Sequence, residues 1–536
     1  MNNAHLLLLE DDPDWVETVR EVVTPHLSSF TAATTLAEAE ALIARRYFTV
    51  AIVDISLVHG DNKDNSGMRF LHLLAEHKLS DVVSTIVLSA YGSMAQQRTA
   101  FRDFGVVDFL PKPEDDLSKP RFDLSKARFD PQELLRALHT ALAEKRRLEP
   151  LAIELESGRA LASLWSRFNW PQREAPAELT YELADLLRRL FPGATDLFLQ
   201  PLSAGQSGAG VVKAEPLYGA KRAASVIVKF GKREKIEAEH QNYEAYIERY
   251  IGYQASTQLG YVSGRAMGAI AYSFVGAELD AVTSLADYYP TASVEGVQRT
   301  LDNLLKHTCS RWYENREQPR RTRNLVKLYQ EGLHIHTWDD IWQKLAPSHP
   351  EIKAPSLTFP GVAGEFRNPR HWLEERNYEV YMPVWLATTH GDLNEHNVLV
   401  TEDHSTWLID FYRTGPGHIL RDIVELECVI KFNLAGVSEL ADGFGLEAAL
   451  LEQTQLSKPV AIPPGASFAK PLAAISHLRE LAADFTGQGM REYHTALLLH
   501  TVYMLSLDFL YEAEPHRRDR VLLAAAMLAG ALDRLH

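Results

Sequence analysis

Five short apolar runs separated by amphipathic stretches fill residues 5–147, and this alternation constrains the chain more than any other feature. The runs are "HLLLLE", "SSFTAA", "FTVAIVDI", "VSTIVLSA" and "VVDFLPK", with helical patterns such as "WVETVREVVTPHL" and "LAEAEALIARR" between them. Strand-length apolar runs alternating with helices predict an α/β domain, a doubly wound five-stranded parallel sheet wrapped on both faces. In open sheets of this kind ligands gather beyond the carboxyl ends of the strands. The residues standing at those ends are Glu10 and Asp11, Asp54, Ser89 and Lys112.

Carboxylates converging on one edge can hold a hard divalent cation through oxygen ligands. A lysine and a hydroxyl beside them would balance charge on a phosphoryl group. This constellation resembles the receiver domain of two-component response regulators, over roughly residues 1–147. The resemblance implies that Glu10, Asp11 and Asp54 bind Mg²⁺, that Asp54 accepts the phosphoryl group, and that Ser89, Phe109 and Lys112 form the switch. It also implies a cognate sensor histidine kinase as partner. The loop "SLVHGDNKDNSGM" after Asp54 is longer than the family pattern; Asp61, Asn62 and Asp64 in it could alter access to Asp54 or form a solvated insertion.

The stretch after Lys112 contains "DLSKPRF" followed at once by "DLSKARF", a tandem duplication that a surface loop accommodates at little entropic cost. Asp130-Pro131 then predicts a helix start, with Asp as N-cap and Pro in the first turn. Leu135, Leu138, Leu142 and Leu148 at helical spacing predict a helix through "QELLRALHTALAEKRRLEPLAIELES". Its first half should close the first domain, and its second half should begin a helical linker over residues 148–180, a relay or a passive spacer.

Beyond residue 180 the pattern changes. "ATDLFLQPLSAGQSGAGVVKAEP" reads as strand, glycine turn, strand, with Gly205, Gly208 and Gly210 where backbone N–H groups could approach a phosphate. "ASVIVKFG" is a strand bearing Lys229, and a helix follows whose Glu239, or else Glu237 or Glu244, could fix that lysine on nucleotide phosphates. Ser273, Phe274 and Val275 end another strand and could serve an adenine edge. In "HGDLNEHNVLVTEDHSTWLIDF" two short strands flank a turn and bring Asn397 towards Asp410, with Asp392 just ahead. An amide and a carboxylate can hold Mg²⁺ on a triphosphate, leaving Asp392 to orient or deprotonate a hydroxyl.

That motif resembles the catalytic loop of aminoglycoside and choline kinase-like phosphotransferases, a branch of the protein kinase-like fold. The resemblance implies an α+β bilobal architecture, with an N-lobe over 181–275 and a mostly helical C-lobe over 276–536. It implies Asp392 as catalytic base, His390 as a structural histidine, Asn397 and Asp410 as Mg²⁺ ligands, and Lys229 with Glu239 on ATP. Two departures, Asp410-Phe411-Tyr412 without a closing glycine and an irregular glycine turn, keep a nucleotide-binding pseudokinase scaffold as the alternative. The acceptor is an unknown hydroxyl compound or protein. Asp422 in the following helix reads as scaffold for the metal loop.

The net charge of −16 and the lack of a helix-turn-helix pattern weigh against nucleic acid as a partner. The basic run "EQPRRTRNLVK" reads as a solvated helix face, and His494 and His500 as packing histidines. The two cysteines, Cys309 and Cys428, are far apart and imply neither a disulfide framework nor a metal site, so a reducing cytoplasm is expected. The leucine run near the amino end is too short for a signal core, and "VLLAAAMLAGAL" is too short for a membrane span. A homodimer through the first domain or the linker helix is a further expectation.

Overall fold

The computed structural model describes residues 4–58, 64–90, 93–112, 129–166, 176–202, 209–248, 256–274, 282–512, 514 and 516–535. They divide into two compact units, Met1–Ala238 with Gln258–Ser273, and Glu239–Thr257 with Phe274–His536.

The first unit opens with β1 (His5–Leu9), α1 (Pro13–Val23), β2 (Ser29–Ala33), α2 (Leu36–Arg45), β3 (Val50–Val53), α3 (Ser66–Glu76), β4 (Ser84–Ser89), α4 (Met94–Phe104), β5 (Asp108–Pro111) and α5 (Pro131–Glu144). The sheet is wholly parallel in the order β2-β1-β3-β4-β5. Because strand side chains alternate between faces, each apolar run feeds two cores. Leu7, Leu9, Ala51, Val53 and Val87 pack on the side of α2 and α3. Leu6, Leu8, Val50, Ile52, Ile86 and Leu88 pack on the side of α1 and α5. Local signals set the helix starts: Asp12, Thr35 and Asp130 each accept a first-turn N–H, and Ser93 with Gln96 closes a capping box.

The expected long helix does not form. Helix α5 stops at Glu144, Arg146 takes a left-handed conformation (φ 56°), and Pro150 cannot continue a helix. Among the described residues of 148–180, the first part is therefore not a continuation of that helix. Residues Ala152–Leu155 form β6, which pairs in parallel with β7 (Asp196–Pro201), and α6 begins at Pro176 and runs to Leu190. Leu148, though off the helix, still packs against the same core as Leu135.

The second sheet continues with β8 (Gly210–Tyr218), β9 (Lys221–Arg222), β10 (Val226–Lys232), α7 (Arg233–Asn242), β11 (Ser256–Ser263) and β12 (Met267–Phe274). Its order is β11-β12-β10-β8-β7-β6, with β9 paired to β8. Helix α6 packs Leu179, Leu183, Leu186 and Leu187 against Val212, Val228 and Ala269 of this sheet. The same helix clamps the first domain. Asp185 accepts hydrogen bonds from Arg147 Nε (2.8 Å) and Tyr47 Oη (2.5 Å), while Arg147 also donates to the carbonyls of Thr49 and Val82 (2.6 Å each). Burial works to raise the Asp185 pKa, but Arg147 and Arg189 outweigh it and hold the carboxyl well below the usual range. Glu178 accepts from Tyr47 N (2.7 Å), and Arg265 donates to Ala44 O (2.9 Å).

The second unit is mostly helical, with Arg421–Val429, Ala469–Thr486, Met490–Met504 and Arg517–Arg534 carrying much of its core. A buried charge network ties three of them: Arg479 donates to Glu427 (2.9 and 2.6 Å), Lys431 bridges Glu427 and Glu447, and Tyr493 Oη donates to Glu427 (2.6 Å). "VLLAAAMLAGAL" lies buried within Arg517–Arg534, and among the described residues no helix is long and apolar enough to cross a membrane. The basic run is not a helix face at its centre. Arg321–Asn324 is a strand paired with Tyr381–Val384, and Arg320 is ion-paired with Glu492 and lies over the Trp385 ring (4.4 Å). Both cysteines are buried and free.

His494 and His500 are 2% and 3% exposed, and burial pushes both pKa values down to about 3. A protonated histidine is therefore tolerated in the unfolded chain but not in the folded one. Stability present above pH ~6.5 should fall as pH drops towards 3, by about 1.4 kcal/mol per pH unit for each histidine. A His494→Leu variant should show a shallower loss of the urea unfolding midpoint between pH 6.5 and 5, read by tryptophan fluorescence.

Candidate functional sites

Parallel pairing brings the ends of β1, β3, β4 and β5 to one edge, and the polar residues just past them meet there. Glu10, Asp11 and Asp54 each offer an oxygen within 4.8 Å of the others. Ser89 Oγ donates to Asp54 Oδ1 (2.6 Å), and Lys112 Nζ is ion-paired with Glu10 Oε2 (2.5 Å) and with Asp54 Oδ2. Burial pushes the Glu10 pKa up to about 7 although Lys112 opposes it, and burial also raises Asp11. Three carboxylates against one ammonium leave net negative charge, and an all-oxygen donor set fits a hard divalent cation. Phe109 is half-buried on β5 against the α2 and α3 core.

Two contributors were not evident from strand ends. Gly67 at the start of α3 packs on the Asp54 backbone, where an added Cβ would lie 2.1 Å from Asp54 O. Asp64 accepts from Leu57 N (2.6 Å) and Ser66 Oγ (2.7 Å), joining residues on either side of 59–63. Asp61 and Asn62 lie outside the described residues.

In the second unit the strand Leu386–Thr389 delivers the "HGDLNEHN" loop. Gly391 has φ 79°, and an added Cβ would meet Arg413 O at 2.4 Å. Asp422 brackets the loop: its two oxygens accept His390 N (2.8 Å) and Gly391 N (2.9 Å), and Tyr313 Oη donates to it (3.2 Å). His390 Nε2 lies 3.0 Å from Ile409 O, and its ring packs edge-on to Phe411. Asn397 Nδ2 donates to Asp392 O (2.8 Å) and Oδ2 (3.3 Å). The hairpin pairs Val398 with Leu408, and Ile409 N donates to Asn397 O (3.1 Å), which places Asp410 one residue from Asn397's backbone partner. Asp410 itself is left-handed (φ 69°, ψ 71°), and Asn242 holds the next two carbonyls, of Phe411 (3.1 Å) and Tyr412 (2.7 Å).

Glu425, one helical turn beyond Asp422, is buried behind the loop and takes a hydrogen bond from the Leu393 backbone. Burial first, then the Asp392 carboxylate, push its pKa up to about 8. A glutamate on an otherwise apolar helix turn was the only sequence signal for it.

The expected nucleotide residues are placed as follows. Lys229 is buried on β10, opposite Val211 and Ile270. Of the three acids that could serve it, Glu237 pairs with Lys78 (2.7 Å), Glu244 is exposed beside His240, and Glu239 is 1% exposed. Gly210 begins β8 with the Phe230 ring where its side chain would be (2.4 Å), so its smallness serves packing. Ser273 and Phe274 end β12. Gly205, Gly208 and Val275 lie outside the described residues.

Strand order and strand-end residues together define the first domain as a response regulator receiver, and residues 6–119 match the response regulator receiver domain family. Residues 194–349 and 353–506, more than half of the chain, match the family described as ternary complex associated domain 9, and the protein belongs to that family. Similar solved structures include the signal receiver domain of an HD domain-containing protein from Pseudomonas fluorescens Pf-5 (20% identity, 26% of this chain, 96% of that one, TM-score 0.21). They also include the non-phosphorylated HemR receiver domain from Leptospira biflexa (23% identity, 26% and 94%, TM-score 0.21) and a sensor protein from Polaromonas sp. JS666 (22% identity, 26% and 97%, TM-score 0.21). No curated protein matches the chain.

Replacing Asp422 with Ala strands two buried backbone N–H groups and should cost about 3 kcal/mol or more, while Asp422→Asn, which keeps one acceptor, should cost less. Urea midpoints of the three proteins, followed by tryptophan fluorescence, check the order.

Proposed function

We propose that phosphorylation of the receiver at Asp54, by a cognate sensor histidine kinase, governs an ATP-dependent phosphotransferase whose catalytic loop is His390–Asn397. The observation that carries this reading is the Asp422 bracket together with the Asn397–Asp392 hydrogen bonds. They hold a carboxylate, an amide and the Asp410 end of a hairpin in the order that hydroxyl phosphorylation needs. Asp392 orients the acceptor hydroxyl and takes its proton as the new P–O bond forms and the bond from the γ-phosphorus to the bridging oxygen of ADP breaks. Asn397 and Asp410 would hold Mg²⁺, whose contribution there is to neutralise phosphate charge. Lys229 is assigned to the nucleotide, with Glu239 as the acid that would fix it, and Gly210, Ser273 and Phe274 are assigned there too. In the receiver, Glu10, Asp11 and Asp54 would hold a second Mg²⁺, and Lys112 and Ser89 would contact the phosphoryl oxygens.

A continuous path supports control by the receiver. Helix α3 meets the Asp54 backbone at Gly67, and at its other end the carbonyls of His77 and Lys78 accept from Arg233 (3.1 and 2.8 Å). Lys78 also pairs with Glu237. Arg233 and Glu237 belong to α7, the helix that carries Glu239. A change at Asp54 that shifts α3 therefore acts on α7 directly. The second reading, a nucleotide-binding pseudokinase scaffold that recruits a partner according to receiver phosphorylation, is favoured by Tyr412 where a kinase metal triplet closes with glycine.

Asp392→Asn should lower ATP-dependent phosphoryl transfer about 10²- to 10⁴-fold with nucleotide binding retained; full transfer by this variant would refute the catalytic assignment in favour of another base. Acetyl phosphate should label the wild type and not Asp54→Ala. A Lys78→Ala/Arg233→Ala double variant should keep basal turnover of radiolabelled ATP but lose its response to Asp54 phosphorylation. ATP binding without turnover in either receiver state would support the scaffold.

A further inference from the structure

Beside the catalytic loop the helical unit contains a cavity of about 260 Å³. It is lined by Tyr329, His334, Arg413, His418, Arg421 and the Gly415-Pro416-Gly417 turn, with Glu331 the acid on its wall. Two guanidinium groups therefore meet one carboxylate, and that carboxylate turns outward to Lys327 (3.8 Å) with most of its side chain exposed.

Neither arginine makes an ion pair with a carboxylate among the described residues. Arg413 Nη1 donates to Tyr503 Oη (3.2 Å). Arg421 Nη2 donates to Gly332 O and Gly391 O (2.7 Å each), and its Nε is buried without a hydrogen-bond partner although the residue is only 5% exposed. Asp422, next to Arg421 in sequence, is taken up by the His390 and Gly391 N–H groups and the Tyr313 hydroxyl, and Glu425 has its pKa raised by burial and by Asp392, which leaves it largely protonated at neutral pH. Burial and then both arginines lower the His334 pKa, which favours its uncharged form. His418 is occupied by Tyr329 Oη (3.3 Å) and Glu492 (3.1 Å). Buried charge without a counter-ion is costly, and planar guanidinium donors match the oxygens of phosphate and carboxylate.

The cavity also lies against the reacting group. Arg421 holds the carbonyl of Gly391, the residue before Asp392, and the Arg413 charge is within electrostatic reach of the Asp392 carboxylate. We propose that this cavity binds an anionic group, a phosphate or a carboxylate, of the molecule whose hydroxyl Asp392 activates, so that the acceptor is an anionic hydroxyl compound. The identity of the occupant as acceptor rests on the phosphotransferase reading; anion binding by Arg413 and Arg421 does not. The overall acidity of the chain does not decide the matter, because the charges nearest a cavity of low dielectric dominate inside it.

Calorimetric titration of the full chain with inorganic phosphate should show binding that Arg413→Gln weakens at least about tenfold and Arg413→Lys weakens less, as expected for a charge-assisted bond. Pro416→Glu adds a charge on the exposed wall, touches neither guanidinium, and should weaken phosphate as well. Unfolding midpoints near wild type for both variants exclude misfolding. Undetectable phosphate binding, or binding unchanged in Arg413→Gln and Pro416→Glu, overturns the cavity assignment. Transfer assays then compare glycerol 3-phosphate, glycerate and choline. Preferred transfer to glycerol 3-phosphate or glycerate, lost in Arg413→Gln, supports the acceptor class and says which anion is read. Transfer to choline alone overturns that class and keeps the phosphotransferase. Arg413-dependent phosphate binding with no transfer to any of the three upholds the anion site and overturns the acceptor assignment, and turnover of radiolabelled ATP then decides the phosphotransferase.

Discussion

The buried carboxylate of Asp185 is the constraint on which the amino-terminal unit depends. One side chain on α6 accepts from Arg147 and Tyr47, and Arg147 in turn closes the carbonyls of Thr49 and Val82. Thr49 and Val82 lie just ahead of β3 and β4, so the clamp grips the sheet at the end opposite Asp54 and Ser89. A charge set of this kind adds little net stability over an apolar contact, yet removing one member strands the others. Its effect is to join the receiver and the second sheet at the amino ends of β3 and β4. The residues after α3 add a second join, with the His77 and Lys78 carbonyls accepting from Arg233 and Lys78 pairing with Glu237.

Much of this was legible because some sequence patterns are local. The five strands of the receiver follow from short apolar runs whose alternate residues feed two cores, and the site residues follow from what stands after each run. The hairpin Val398–Leu408 and the Asp410 position likewise follow from two apolar runs around a short polar turn. Asp422 was readable as scaffold, although its double acceptance from His390 and Gly391 was not, since nothing in a helix-starting aspartate specifies which loop it will meet.

What could not be read depends on partners distant in sequence. Leu148 continues the helical spacing of Leu135, Leu138 and Leu142, so periodicity favoured a long helix. The tertiary capture of Arg147 and the bar at Pro150 turned the chain instead into β6. Arg479, Lys431, Glu427 and Glu447 look like surface charges in a helical pattern, and they are buried because they satisfy one another. Arg320 likewise belongs to Glu492 and Trp385, and no local pattern announces either.

The same distinction governs the reading of charge at the His390–Asn397 loop. A net charge of −16 favours cationic partners only where the field of the whole surface is felt. Around the cavity that Arg413 and Arg421 line, three acids are either committed or protonated, and Glu331 on its wall turns outward to Lys327. Asp422 is occupied by two N–H groups and a tyrosine hydroxyl, Glu492 by Arg320 and His418, and Glu425 is raised by burial. What remains for an incoming molecule is the pair Arg413 and Arg421. The His390–Asn397 loop thus lies beside a local charge opposite in sign to that of the chain around it, and that local sign is set by which acids are already bonded.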